Sequence, residues 1–147
     1  MLKGIDHLGV VLPSWEQAKQ FFVGVLGMEV DRERTPTDDG VYMAPERLRI
    51  FFCRAWTSPV RIEVLVPQDD TSGTARLLQK RGPGLHHVCF VSDDLERDSA
   101  LLREKGVQQI DLSHGLGDLL SSAGAAFFHP KSCQGILTEI IPEKLAR

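Results

Sequence analysis

The sequence has few cysteines, and none of them forms a recognisable site. Only three of the 147 residues are cysteine, and no two stand in a Cys-x-x-Cys pair. An odd number of widely spaced cysteines argues against a disulfide framework and against a thiolate zinc site. We therefore expect reduced thiols and a cytoplasmic protein.

Long apolar runs and an excess of positive charge are also missing. No stretch approaches the roughly 18 uninterrupted apolar residues of a membrane span, and no basic region followed by an apolar run opens the chain. The net charge of −3 leaves no broad basic surface for a phosphate backbone. Neither a membrane nor a nucleic acid is an expected partner.

What the sequence does contain is an internal repeat. Residues 4–12 align without a gap on residues 84–92, so that His7 falls on His87, and both segments read as strands. A capping-box helix start follows each strand, at Ser14 in the first copy and at Asp93 in the second. Each half then closes on an apolar strand that carries one glutamate and stops at a proline, over residues 61–67 and 136–142.

The two halves predict the same order of elements. Apolar residues recur at helical spacing after each opening strand, namely Ala18, Phe21, Phe22 and Val25 in the first copy and Leu95, Leu101 and Leu102 in the second. Gly27 and Gly106 occupy the expected left-handed caps. Further short strands fit near residues 28–33, 49–53, 107–112 and 125–128, and a short helix fits over residues 74–80. The sequence predicts an α+β fold in which two βαβββ repeats, residues 4–67 and 84–142, form a pseudo-twofold, cleft-enclosing mixed sheet.

Strand parity places one polar side chain on each of four otherwise apolar faces. Side chains in a strand alternate between faces, so His7 lies with Ile5 and Val11 while Leu8, Val10 and Leu12 face the helix. A buried imidazole or carboxylate is costly unless it is paired or binds a metal. Because both histidines and both glutamates occupy equivalent repeat positions, we predict that one metal ion is held by His7, Glu63, His87 and Glu139. By the same parity His86 is not a ligand. Cys89 shares the inner face with His87, where we expect it to fill space as small buried cysteines usually do.

Four motifs carry a family resemblance. They are Ile-Asp-His-Leu-Gly-Val at residues 5–10, Ile-Glu-Val-Leu at 62–65, Gly-Leu-His-His-Val at 84–88 and Phe-His-Pro-Lys-Ser at 128–132. The chain resembles the vicinal oxygen chelate (glyoxalase/bleomycin resistance/dioxygenase) superfamily, and within it the methylmalonyl-CoA epimerases. The resemblance covers nearly the whole chain, which implies a single domain over residues 1–147. It places the metal ligands at the same four residues, although glutamine occupies the position of Glu63 in some epimerases.

The resemblance also implies a reaction and its participants. It implies an isomerase that moves the proton α to a thioester or ketone carbonyl, with one divalent ion (Co, Mn, Zn or Ni), an acyl-CoA thioester as the small-molecule substrate and a homodimer. Glu139 would be one acid/base residue. Glu46 would be the second, although it aligns with the family's second glutamate only if one residue is deleted. Residues 117–122 depart from the loop that similar epimerases carry there.

Two other functions stay open from the sequence. A glyoxalase I-type lyase acting on glutathione hemithioacetals would use the same four ligands. A non-catalytic small-molecule-binding or resistance protein of the same fold would hold a ligand without chemistry, but such proteins typically lack the four ligands. A ring-cleaving oxygenase is disfavoured, because Glu63 would fill a position that iron must keep open for oxygen.

Overall fold

Strands and short helices alternate along the chain, and the contacts among them define two units. The computed structural model describes residues 1–111 and 124–146. One unit comprises His7–His86, and the other comprises Met1–Asp6 together with His87–Arg147. Among the described residues, no helix combines the length and the apolar character needed to cross a membrane.

The His7–His86 unit is built on a mixed sheet with the strand order β2-β4-β5-β1 and with β3 paired to β4. Its strands are β1 (Leu2–Val11, residues 7–11 of which lie in this unit), β2 (Glu29–Val30), β3 (Val41–Met43), β4 (Leu48–Arg54) and β5 (Arg61–Pro67). The β1 and β5 strands run parallel, whereas β4 is antiparallel to its neighbours β2, β3 and β5. The short strand β3 is absent from the sequence prediction.

The first helix begins where the sequence predicted and then changes its winding. The Ser14 hydroxyl accepts the amide of Gln17 ahead of α1 (Trp15–Lys19), and the chain continues as a π-helical segment, Gln20–Val25. A π-helical turn is wider than an α-helical one, which moves later side chains around the axis. Phe21 and Val25, both in this segment, are 50% and 69% exposed, so the predicted apolar stripe is wrong at these two positions. Gly27 has the expected positive φ.

The core of this unit shows which sheet face carries the helix. Buried Ala18 of α1 packs with Val64 and Val66 of β5, and Val10 and Leu12 join them. This confirms that Val10 and Leu12 face the helix. By strand alternation the opposite face of the sheet presents His7 and Glu63. The same face carries a second apolar cluster, made of Leu48, Ile50 and Leu65 with Met43 and Phe52.

The second unit repeats this arrangement on a smaller sheet. Its elements are β6 (Gly84–Ser92, residues 87–92 of which lie in this unit), α3 (Leu95–Glu104), β7 (Ala126–Phe128) and β8 (Thr138–Pro142). The β6 and β8 strands run parallel, and β7 is antiparallel to β8. Leu95 and Leu102 of α3 pack against buried Phe128 and Ile140.

Helix α2 (Gly73–Arg81) in the first unit confirms the helix predicted over residues 74–80.

Three details of the second half differ from the prediction. The N-cap of α3 is Asp94, which accepts the amide of Arg97, whereas Asp93 pairs with the N-terminal ammonium. Leu101 is 46% exposed and lies outside the core stripe. The strand expected near residues 107–112 is a single bridge between Gln109 and Phe128 over the part that is described. Leu112 and the variant segment 117–122 lie outside the described residues.

A buried ion pair joins the segment after β2 to the start of β5. The Asp31 carboxylate is fully buried and accepts Arg61 Nε at 2.5 Å and the Glu33 amide at 3.1 Å. Burial pushes the pKa of Asp31 up, but the hydrogen bond and charge of Arg61 and the backbone amides outweigh it and lower this pKa below its ordinary value. Asp31 is therefore a buried carboxylate with Arg61 as its cationic partner.

Replacing Arg61 by methionine should lower the free energy of unfolding by about 3–5 kcal/mol, because it leaves a buried carboxylate without its cation. Urea denaturation followed by circular dichroism measures this change. Arg32→Met is the matched control, since its guanidinium pairs with the exposed Asp38, and it should leave stability nearly unchanged. Equal stability of the two variants would show that the Asp31–Arg61 pair does not hold this unit together.

Candidate functional site

The four predicted ligands are all buried. His7, Glu63, His87 and Glu139 are 5%, 9%, 3% and 8% exposed. Buried histidine and glutamate require compensation by hydrogen bonds, opposite charge or a metal. Within its own unit, each histidine lies beside one of the glutamates.

In the His7–His86 unit, β1 and β5 bring His7 and Glu63 together. The parallel register sets Gly9 opposite Glu63, and glycine has no side chain on that face to separate the glutamate from His7. His7 Nε2 and Glu63 Oε2 are 3.4 Å apart. Phe52 pairs with Glu63 across β4 and β5, and its ring meets the His7 ring edge-on at 5.7 Å.

The second unit contains the same constellation. His87 Nε2 and Glu139 Oε2 are 3.1 Å apart, and the parallel register sets Cys89 opposite Glu139 as Gly9 is opposite Glu63. Phe127 pairs with Glu139 across β7 and β8, and its ring meets the His87 ring edge-on at 6.1 Å. Each unit therefore holds one histidine, one glutamate and one phenylalanine in equivalent places, and we call this set a half-site.

The two phenylalanines are a part of the half-site that sequence reasoning missed. Phe52 and Phe127 each stand on the strand antiparallel to the glutamate-bearing strand, in register with the glutamate. The sequence does contain aromatic residues at both positions, but their register depends on turn lengths that the sequence pattern leaves open. Their rings contact the imidazole rings edge-on.

The donor set of the half-sites fits a divalent cation. Each offers an imidazole nitrogen beside a carboxylate oxygen, the ligand types preferred by zinc, manganese, cobalt and nickel. Cys89 is fully buried in β6, and its space-filling role stays a prediction. The residues present could therefore hold such an ion without a thiolate.

Glu46 has a structural partner instead of a contact within a half-site. It lies in the turn between β3 and β4, and its Oε2 is 3.3 Å from the Thr74 hydroxyl in the first turn of α2. A carboxylate beside a helix N-terminus is stabilised by the exposed amides there. This contact gives Glu46 a role in packing, and its catalytic role stays a prediction.

Comparison with known proteins identifies the family. Residues 6–117 match the model of the Glyoxalase/Bleomycin resistance protein/Dioxygenase superfamily, and the chain belongs to this superfamily. It is 28% identical to the ethylmalonyl-CoA/methylmalonyl-CoA epimerase of Cereibacter sphaeroides over 144 residues, which are 95% of this chain and 98% of that protein. It is also 28% identical to the mitochondrial methylmalonyl-CoA epimerase of Bos taurus over 137 residues, or 92% of this chain and 72% of that one.

A solved structure supports the same assignment. A variant of Streptomyces coelicolor methylmalonyl-CoA epimerase in complex with 2-nitronate-propionyl-CoA superposes with a TM-score of 0.76 at 25% identity. The superposition covers 97% of this chain and 98% of the epimerase. The fold class and the family resemblance read from the sequence are thereby confirmed.

Proposed function

We propose that this protein is a metal-dependent isomerase that moves the proton α to a thioester or ketone carbonyl, as a methylmalonyl-CoA epimerase does. The observation that carries the proposal is the repeated half-site, with a buried His–Glu pair at 3.4 Å in one unit and at 3.1 Å in the other. The named relatives of the chain are epimerases of ethylmalonyl-CoA and methylmalonyl-CoA. An acyl-CoA thioester is the substrate class that this likeness supports.

In this proposal His7, Glu63, His87 and Glu139 together hold one divalent ion. The equivalence of the two half-sites supports a shared ion, since each alone offers only two of the usual four ligands. When bound, the ion supplies a positive charge that stabilises the carbonyl oxygen as the α-proton leaves. Nitrogen and oxygen donors do not choose among cobalt, manganese, zinc and nickel.

Glu139 is the proposed acid/base residue on one face of the substrate. It is buried next to His87 and stands opposite Phe127 in the strand register, and its carboxylate would take a proton from the α-carbon and return one. Epimerisation requires a second group on the opposite face, and Glu46 stays the proposed candidate. Its contact with Thr74 would have to open for that role.

Deuterium exchange tests the reaction. Metal-loaded protein incubated with methylmalonyl-CoA in deuterated water should place one deuterium at the α-carbon, measured by mass spectrometry against a sample without protein. A chelator should stop the exchange, and added metal should restore it. If no acyl-CoA exchanges its α-proton while a glutathione hemithioacetal is converted, the glyoxalase I-type function is favoured instead.

The cytoplasmic location and the homodimer stay predictions from the sequence and the family resemblance. We include the homodimer in the proposal because the family resemblance implies it. Neither is needed for the chemistry of the half-sites described above.

A further inference from the structure

The two half-sites differ in the residue that stands opposite the glutamate. The parallel register sets Gly9 opposite Glu63 in one unit and Cys89 opposite Glu139 in the other. Paired residues of neighbouring strands point to the same face of a sheet, and the strands are only about 4.7–4.9 Å apart. The Cys89 side chain therefore lies beside the Glu139 side chain, whereas Gly9 places no side chain beside Glu63.

This difference changes how each glutamate is flanked within its sheet. In the strand order β6-β8-β7, Glu139 on the central strand has Cys89 on one side and Phe127 on the other. In the order β4-β5-β1, Glu63 on β5 has Phe52 on the β4 side and glycine in the paired position on β1. The two glutamates are similarly buried, so the half-sites differ in lateral packing and not in access to water.

Cys89 is itself held in place. It is fully buried, and its Sγ lies 3.9 Å from the carbonyl oxygen of Phe90, to which the thiol donates a weak hydrogen bond. The Phe90 side chain packs with Phe128 and Ile140 in the core of this unit. Because close packing leaves a buried side chain few alternative rotamers, Cys89 is a fixed neighbour of Glu139.

Confinement of this kind matters most for a residue that transfers a proton. A base has to bring one oxygen to the α-proton within a narrow range of distance and angle, and a misplacement of about 1 Å can slow a reaction by about 10²-fold. Side chains on both flanks exclude rotamers that would carry the carboxylate away from that position. The glutamate with two such neighbours is Glu139, the proposed acid/base residue.

We propose that Cys89 is a positioning residue that confines the Glu139 carboxylate in the orientation needed for proton transfer. The inference rests on the proposed function, in which Glu139 is the acid/base residue. It goes beyond that function by giving a physical reason why Glu139, and not the equivalent Glu63, takes this role. Cys89 acts through the volume of its side chain, and its thiol takes no part in the chemistry.

Removal of the Cys89 side chain tests this role. In the metal-loaded protein, Cys89→Gly should lower the maximal rate of α-proton exchange with methylmalonyl-CoA in deuterated water by about 10- to 100-fold. The KM should stay close to the wild-type value, because the change loosens the base and leaves the substrate contacts in place. Cys89→Ser has a side chain of nearly the same size and should restore most of the rate. Cys89→Ala keeps the Cβ, should lose part of the rate, and replaces the glycine variant if that variant does not fold.

Cys53→Gly is the matched control for the loss of a buried thiol from a strand. Cys53 is also fully buried, and it pairs with Ile62, so by strand alternation it lies on the sheet face opposite Glu63. The substitution leaves the same kind of cavity and adds the same strand-destabilising glycine, but no glutamate of a half-site lies beside it. Exchange should stay within a few-fold of the wild-type rate. Equal losses of the exchange rate in Cys53→Gly and Cys89→Gly would overturn the inference, because both would then reflect stability alone.

Crystal structures of the full chain prepared without metal give a readout that does not depend on the reaction. Glu139 should have a single side-chain conformation in the wild type and in Cys89→Ser, and more than one in Cys89→Gly, with Phe127 unchanged. A single, wild-type conformation of Glu139 in Cys89→Gly overturns the inference even if the exchange rate falls. A wild-type protein that exchanges no α-proton would instead contradict the proposed reaction, and these structures alone would then decide whether Cys89 confines Glu139.

Discussion

Glu139→Gln is expected to slow α-proton exchange by about 10²- to 10⁴-fold, the range that a positioned general base contributes. Glutamine keeps an oxygen donor next to His87 but removes the basic carboxylate. Metal affinity should therefore fall much less than the exchange rate does. Single-turnover exchange in deuterated water and metal titration of the same preparation measure the two quantities together.

Glu63→Gln is the matched control for this substitution. Glu63 stands at the equivalent place in the other half-site, 3.4 Å from His7, and has the same partner types and similar burial. Because the proposal gives Glu63 a ligand role without a proton-transfer role, exchange should persist in Glu63→Gln. Equal losses of the exchange rate in the two variants would show that proton transfer does not depend on Glu139 more than on Glu63.

His87→Ala is expected to cause a large loss of metal affinity, exceeding the roughly 10- to 100-fold that removal of an outer-shell partner costs. His87 is 3% exposed and its Nε2 lies 3.1 Å from Glu139, so alanine at this position removes a nitrogen donor from a buried half-site. Competition with a chromogenic chelator measures the affinity of wild-type and variant protein. His7→Ala should behave in the same way if the half-sites are equivalent.

The neighbouring histidine is the control. His86 precedes His87 in β6, and strand alternation directs its side chain to the opposite face. His86→Ala should therefore leave metal affinity within a few-fold of the wild-type value. A metal affinity that responds to His86 and not to His87 would contradict the predicted orientation of this strand.

The internal repeat in the sequence was sufficient to predict the fold and the positions of the site residues. His7 and His87 at equivalent strand positions, with Glu63 and Glu139 at equivalent later ones, predicted both the α+β fold and four buried side chains. Strand alternation has a fixed period of two, so the face of each side chain follows once the strand is recognised. The pairing of each histidine with its glutamate then follows from the parallel strands.

The predictions that were wrong depend on local backbone geometry, which a periodic sequence pattern does not encode. The stripe through Phe21 and Val25 assumed α-helical winding, whereas both residues belong to a π-helical segment and are exposed. Asp93 and Asp94 are adjacent potential caps, and the sequence pattern does not distinguish them; Asp94 caps the helix, whereas Asp93 pairs with the N-terminal ammonium. Contacts formed across the sheet were also beyond the sequence, as with Arg34 over Phe52.

The number of metal ions per chain tests the central claim that both half-sites serve a single ion. Elemental analysis of protein reconstituted with cobalt or zinc and freed of excess metal by gel filtration gives this number directly, with His87→Ala prepared in parallel. One ion per chain in the wild type and almost none in His87→Ala is the expected result. Two ions per wild-type chain, with one remaining in His87→Ala, would mean that each half-site binds independently, and no ion in the wild type would contradict a metal-dependent reaction altogether.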